Sequence, residues 1–293
     1  MPARAFAPAK VNLYLHVGPL ATDGFHPLRS LMVFADVGDE ISLGTGQGLR
    51  LEVTGPFAAG LDEGENLVNR AASLLGARIG REAAQPGLRL DKRLPVAAGL
   101  GGGSADAAAA LRLLNRAWGA GLDDAHLEVL AAELGSDVPA CIRSLPVTAS
   151  GRGEVLDPAP RLPVLDAVLV NPGVACPTGA VYRAFDLASP ARPPEPVPEP
   201  GDLPDARAAA AWLAGLRNDL EAPAALVAQE IAGVLGRLRT APETLLARLS
   251  GSGATCFALC ADSPSAGRLA AGLARDNPGW WVQACRLGAP FSP

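Results

Sequence analysis

The run Pro95-Val96-Ala97-Ala98-Gly99-Leu100-Gly101-Gly102-Gly103-Ser104-Ala105-Asp106 sets four glycines and a serine between a short apolar segment and a helical pattern. Glycine takes φ > 0 readily and presents no side chain to a ligand. A backbone that turns here and enters a helix aims several free N–H groups at one point. With the positive end of the helix dipole, those groups suit a phosphate. Two familiar phosphate loops do not fit. No lysine follows the glycines, as a Walker loop requires. The sixth position is Ser104 counted from Gly99 and Asp106 counted from Gly101, so the dinucleotide fingerprint fails as well. A flexible glycine turn is the alternative reading; the serine and the immediate helix favour phosphate.

Other residues could do chemistry at a distance along the chain. Lys10 opens an alternating segment, and Asp137 stands in Gly135-Ser136-Asp137-Val138-Pro139-Ala140. Pro139 favours a helix start, so Asp137 reads locally as an N-cap. A second glycine run, Leu249-Ser250-Gly251-Ser252-Gly253-Ala254-Thr255, leads into a strand pattern. A tight turn explains it, and so does a backbone passing close to a ligand. His16, His26 and His126 have no metal-ligand spacing.

The elements that must position these groups follow from periodicity. Val11, Leu13, Leu15 and Val17 alternate with Asn12, Tyr14 and His16, which predicts a half-buried strand over 4–17. Strands are predicted over 28–37 and 40–54, with Gly44, Gly46 and Gly48 marking a turn between halves. Residues 66–75 read as a helix, and 88–94 alternate on the way into the glycine loop. Ala107, Leu111, Leu114 and Trp118 share one face of a helix over about 105–118, which Gly119 and Gly121 end. A helix over about 124–134, a buried strand over 166–171, a helix over 264–276 and a strand over 280–287 complete the pattern. Residues 189–204 hold seven prolines and read as a surface loop or linker, favoured as a loop inside the second domain because a helical pattern resumes at about 205 and runs with few breaks to 249. The second half mixes helices and strands in α+β fashion.

Composition bounds the function. The 293 residues suffice for two domains, and 49% hydrophobic content supports a sizeable core filled mostly by small aliphatic residues, since aromatics make up only 4%. A net charge of -5 disfavours a general nucleic-acid binder. No apolar stretch approaches the ~20 residues of a membrane span, and the N-terminus has no signal-peptide pattern. Five cysteines without a CxxC pair argue against a disulfide framework and for a reducing cytoplasm.

Taken together, the segments resemble the kinases named for galactokinase, homoserine kinase, mevalonate kinase and phosphomevalonate kinase. That family carries a Pro-x-x-x-Gly-Leu-Gly-Gly-Gly-Ser loop, which residues 95–104 match. Ala7-Pro8-Ala9-Lys10-Val11-Asn12-Leu13, Asp23-Gly24-Phe25-His26-Pro27-Leu28, Asp91-Lys92-Arg93-Leu94-Pro95, Gly135-Ser136-Asp137-Val138-Pro139 and Arg248-Leu249-Ser250-Gly251-Ser252-Gly253-Ala254 narrow the likeness. They resemble the branch that phosphorylates the 2-hydroxyl of a cytidine-diphosphate-linked methylerythritol, on the non-mevalonate route to isoprenoids. Smaller matches are Asn171-Pro172-Gly173 with Pro177-Thr178, and Asn218-Asp219-Leu220-Glu221.

The resemblance implies an α+β, two-domain GHMP kinase architecture. Its N-terminal domain, over 1–157, would be like the second domain of ribosomal protein S5, and its C-terminal domain, over 158–293, ferredoxin-like. The site would lie in the cleft between them, with ATP and Mg2+ as cofactors. Asp137 is implied as the base and Lys10 as its partner. The amides of Gly101, Gly102, Gly103, Ser104 and Ala105 would cradle the phosphates, with Pro95 and Gly99 shaping the loop. Ser104 is also the implied magnesium ligand, or else only a helix cap, and Asp106 a weaker candidate. Lys92 and Asn66 are implied near the adenine. His26 would hydrogen-bond the cytosine edge, and Phe25, in place of the usual tyrosine, would stack on one face. Tyr182 would stack on the other face or serve the core, and Asn12 would orient the substrate. A homoserine or mevalonate kinase lacks a reason for the Asp-Gly-Phe-His block, and a non-catalytic sensor lacks one for both Lys10 and Asp137. The expected state is a monomer or homodimer acting on a small molecule in the cytoplasm, without nucleic acid or membrane.

Overall fold

The computed structural model describes residues 3–47, 51–59, 61, 66–81, 86–188 and 196–289. The chain runs through β1 (Arg4–Val17), β2 (Leu28–Gln47), β3 (Leu51–Thr54), α1 (Leu67–Ile79), β4 (Pro86–Asp91), α2 (Gly102–Trp118), α3 (Asp124–Ala132), α4 (Val138–Arg143), β5 (Val147–Gly151) and β6 (Val155–Pro158). It continues with β7 (Leu165–Asn171), α5 (Thr178–Ala188), α6 (Ala206–Ala214), α7 (Glu221–Val227), α8 (Glu230–Thr240), β8 (Thr244–Leu249), β9 (Cys256–Cys260), α9 (Ser263–Asp276) and β10 (Trp281–Leu287).

β2 is the spine. β1 runs antiparallel along one edge. The other edge is shared by β5 at Leu28–Met32, by Leu287 of β10 at Ala35 and by β4 from Glu40 onward. The predicted turn does not fall at Gly44 and Gly46, which lie inside β2, and Gly48 falls outside the described residues. Register shifts between Leu43 and Gln47, and a Cβ at Gly44 would come within 3.1 Å of the Gly87 backbone. Gly44 marks close strand approach, and the chain reverses only after Gln47, since β2 runs antiparallel and β3 parallel to β4. Beyond β10 the sheet continues antiparallel through β7, β9 and β8.

The stretch over 205–249 is not helical throughout. Its last six residues form β8, because pairing with β9 overrides a Leu/Ala/Arg composition that suits a helix. Of the proline-rich loop, residues 196–204 carry neither helix nor strand, and 189–195 lie outside the described residues.

Among the described residues three apolar clusters hold the fold. One packs α1, α2, α3 and α4 on β1 and β2. Another packs α5, α8 and α9 on the β7–β9 region. The third joins the halves: Val11 and Leu13 of β1, Leu94 and Leu100 flanking the glycine loop, Leu169 of β7 and Phe257 of β9 share it. β1 is therefore not half-buried as predicted. Lys10, Asn12, Tyr14 and His16 are as buried as the apolar residues between them. Its polar face is covered by the second half of the chain, which a two-residue period cannot reveal. Among the described residues no helix is long and apolar enough to cross a membrane, and all five cysteines are free and buried.

Candidate active site

A cleft of about 820 Å3 opens between the glycine loop, β1 and α5. Its walls include Lys10, Asn12, Phe25, His26, Asn66, Lys92, Pro95, Gly99, Gly101, Gly102, Gly103, Ser104, Asp137 and Tyr182. Every residue that the resemblance places at the site lines it except Ala105.

Two register shifts in β1, between Pro8 and Lys10 and between Asn12 and Tyr14, bracket the residues that present Lys10 and Asn12. Irregularities of this kind re-aim side chains beside functional sites. Lys10 Nζ lies 2.9 Å from Asp137 Oδ2 and donates to Asn12 Oδ1 at 2.9 Å. Asn12 Nδ2 donates to Ser30 Oγ, which donates to the Tyr14 carbonyl. Both ends of the Asn12 amide are thus engaged, and it orients Lys10. Asp137 occupies the N-cap position of α4 but makes no side-chain cap bond. Its carboxylate, 31% exposed, faces the cleft and Lys10. Arg112 donates to the Cys141 and Ile142 carbonyls, fixing the other end of that short helix.

α2 begins three residues earlier than periodicity suggests, so Gly102, Gly103 and Ser104 form its first turn. Gly101, at φ 60, is the N-cap and no side chain caps the helix. First-turn N–H groups have no intrahelical partner, so this end stays open to an anion. Ala105 does not belong with them. It is fully buried, and its N–H is already spent on the Gly101 carbonyl. A Cβ on Gly101 would stand 3.0 Å from Lys10 Cε, and one on Gly102 3.0 Å from Lys92 Nζ. Asn66 caps α1 through Val68 N.

The second glycine run closes on the first. Ser250 Oγ donates to the Gly99 carbonyl and accepts from Asn12 N, while Thr255 N donates to the Ala98 carbonyl. The run is a tight turn entering β9, closed by Ser250 N on the Thr255 carbonyl and Gly253 N on the Ser250 carbonyl, and it packs on the first glycine loop.

Lys92 is no solvated strand lysine. It is 2% exposed and bonds both Asp39, at 2.5 Å, and Asp106, at 2.6 Å. Asp39 is fully satisfied, since its other oxygen accepts from Arg93 N and Leu94 N. Asp106 has one oxygen on Lys92, and its other, Oδ1, is buried without a hydrogen-bond partner. Burial pushes the Asp106 carboxyl up to about 8 against the pull of Lys92. The native state therefore holds a proton that the unfolded chain, with a usual value of 3.8, has released. Asp106 accordingly contributes stability that is full below its unfolded value and lost as pH rises through about 8. Asp106→Asn should flatten the fall in Tm between about pH 5 and pH 8, read by thermal unfolding in matched buffers. An unchanged slope would place the proton elsewhere. Asp39 was missed in the sequence because it lies 53 residues from Lys92.

His26 Nδ1 meets the Gly18 carbonyl at 2.9 Å, its ring sits 5.0 Å from Tyr182 and 5.8 Å from Phe185, and Nε2 lies 3.5 Å from Asp186. Tyr182 packs on the apolar cluster and also lines the cleft. Burial, with the charge of Asp137, pushes its phenol up to about 12, so it stays neutral. Phe25 is 52% exposed, and the Arg152 guanidinium stands 4.4 Å from its ring centroid while pairing with Asp23.

Comparison with known proteins places this geometry. Residues 66–144 match the GHMP kinases N terminal domain, and residues 197–278 match the GHMP kinases C terminal domain. A 4-diphosphocytidyl-2-C-methyl-D-erythritol kinase of Caulobacter sp. (strain K31) is 55% identical, over 98% of this chain and 99% of that protein. The enzyme of the same name from Hyphomonas neptunium is 50% identical, over 97% and 96%. A crystal structure of 4-(cytidine 5'-diphospho)-2C-methyl-D-erythritol kinase superposes with a TM-score of 0.76 at 35% identity, covering 98% of this chain and 99% of that one.

Proposed function

The chain belongs to the 4-diphosphocytidyl-2-C-methyl-D-erythritol kinases of the GHMP family, and we propose that it moves the γ-phosphoryl group of ATP to the 2-hydroxyl of that cytidine-linked substrate. The observation that carries the reading is the Lys10–Asp137 pair, 2.9 Å apart at the floor of a cleft whose other wall is an uncapped glycine-led helix. Phosphoryl transfer asks the protein mainly for positioning and charge stabilisation. In this reading Asp137 takes the hydroxyl proton as the substrate oxygen bonds to phosphorus and the bond to ADP breaks. Lys10 orients the Asp137 carboxylate and stabilises charge on the transferred group. The N–H groups of Gly101, Gly102, Gly103 and Ser104 hold the phosphates, and Pro95 and Gly99 set the loop's path. Asn66 lies toward the adenine. Lys92, fixed by Asp39 and Asp106, supports the loop from beneath more than it touches the base.

Magnesium bound with the nucleotide would neutralise charge on the phosphates. Among the described residues no three His, Cys, Asp or Glu side chains gather to hold a metal. Asp106 and Asp137 already contact Lys92 and Lys10. The fit is to a cation held mainly by phosphate and water oxygens, with the Ser104 hydroxyl as the protein's ligand. His26 reads the cytosine edge, Phe25 and Tyr182 grip its faces, and Asn12 keeps Lys10 in line.

We assign residues 1–157 to an S5-like domain and 158–293 to a ferredoxin-like one. The antiparallel order β10-β7-β9-β8 with α8 and α9 packed on it supports the second assignment. The protein would act in the cytoplasm on a small molecule.

Gly99→Ala tests the loop arrangement. Gly99 is at φ +73, and a Cβ there would lie 2.3 Å from the Ser250 carbonyl oxygen. The expected cost is about 1–3 kcal/mol of stability, with a raised KM for ATP; unchanged Tm and KM would mean that the loops need not touch. The activity itself is tested by incubating the purified chain with ATP, magnesium and the cytidine-linked substrate and following product by 31P NMR. A new phosphomonoester at the 2-position is expected; ADP without that signal would refute the assignment.

A further inference from the structure

We propose that Asp186 is a specificity-determining residue that selects a pyrimidine bearing an exocyclic amino group over its keto counterpart. The inference rests on the cytidine reading above and extends it to a residue that the sequence did not single out. Asp186 sits on α5, one residue past Phe185 and four past Tyr182, so it shares a helix face with the ring that packs on His26. Its Oδ1 lies 3.5 Å from His26 Nε2, too long for a direct hydrogen bond and close enough to share one ligand group.

The rest of the imidazole is committed. A carbonyl oxygen can only accept, so Nδ1 must carry the hydrogen toward Gly18. Tyr182 covers the ring at 5.0 Å and Phe185 meets it edge-on at 5.8 Å. Nε2 is the ring nitrogen left to address a base, and beside it stands a carboxylate oxygen that can only accept. If Nε2 is bare, it and Asp186 form two adjacent acceptors for the two hydrogens of an amino group. If Nε2 carries hydrogen, the pair is a donor next to an acceptor, which matches cytosine's ring nitrogen and its neighbouring amino group. Uracil presents the reverse order, a ring N–H beside a carbonyl oxygen. In the register that cytosine takes, that oxygen would face the Asp186 carboxylate in both proton states, and repulsion against the wrong partner is a means of discrimination. The Asp186 side chain is 40% exposed and meets the site only beside His26 Nε2, so its effect on discrimination should be moderate and its replacement should leave the fold intact.

The test is the binding of CDP and UDP to the wild type, Asp186→Asn and Asp186→Ala by isothermal titration calorimetry, together with kcat/KM for the cytidine-linked and uridine-linked acceptors. The wild type should prefer CDP, and both variants should lose about 10-fold or more of that preference, as expected for a hydrogen bond to a charged group. Asp186→Asn should lose it partly by gaining affinity for UDP, because its amide can donate to the keto oxygen. Circular dichroism and Tm identify a variant that has not folded, and the other variant then decides. A CDP/UDP ratio that is the same in wild type and variants overturns the inference, as does a wild type without preference. Failure of phosphotransfer with the CDP preference intact would instead count against the kinase reading alone.

Discussion

Asp137→Asn is expected to lower kcat by at least ~10²–10⁴-fold, the range for loss of an acid–base group, with Tm unchanged. The substitution separates the two roles that the sequence leaves open. Asp137 holds the N-cap position of α4, yet its side chain makes no cap bond, so asparagine removes no helix-stabilising contact. The amide oxygen can still accept from Lys10 Nζ, which stands 2.9 Å from the present carboxylate. What disappears is a group able to take a proton from the acceptor hydroxyl. Steady-state ADP release and thermal unfolding measure both sides of the claim. Turnover within tenfold of the wild type at equal Tm would remove Asp137 from the chemistry.

Lys92→Met should be the most damaging change to the fold near the site. It takes away the ammonium that Asp39 and Asp106 both contact while leaving two carboxyl groups buried. Breaking a buried pair from one side costs about 3–5 kcal/mol, whereas apolar replacement of the charges together can be neutral. Urea unfolding of Lys92→Met should show a loss of that size, and adding Asp106→Leu should recover part of it. A loss below about 1 kcal/mol would mean that water reaches the cluster and screens it as at a surface. Lys92 Nζ also lies 3.0 Å from where a Gly102 Cβ would stand, so the same variant should loosen the phosphate loop and raise KM for ATP.

These two predictions draw on different amounts of sequence information. Asp137 and Lys10 could be singled out because each stands in a short string that resembles a family motif, whereas their 2.9 Å contact joins positions far apart in the chain. The glycine loop and α2 were legible for the same reason: turn chemistry, alanine content and helical spacing all act within a few residues. The Lys92 cluster was not. Asp39 and Asp106 reach it across 53 and 14 residues, and a charged residue beside a strand carries no mark of burial. β1 failed in the same way, since its polar face is covered by residues such as Ser250 from more than 200 positions away. Gly44 misled because glycine signals a turn and a close strand contact alike. β8 misled because its pairing with β9, unlike its composition, is a tertiary fact. Ala105 was included with the phosphate loop because the boundary of α2 was placed three residues late; once the helix begins at Gly102, its amide belongs to the ladder.

The most direct test of the account is a rate comparison among acceptors. Purified protein with ATP and magnesium should be offered the cytidine-linked methylerythritol, homoserine and mevalonate in parallel, and kcat/KM measured for each from ADP release. A cleft that pairs Lys10–Asp137 with Phe25, His26 and Tyr182 predicts turnover of the cytidine-linked acceptor and none measurable of the other two. Turnover of homoserine or mevalonate, with the cytidine-linked compound inert, would contradict it.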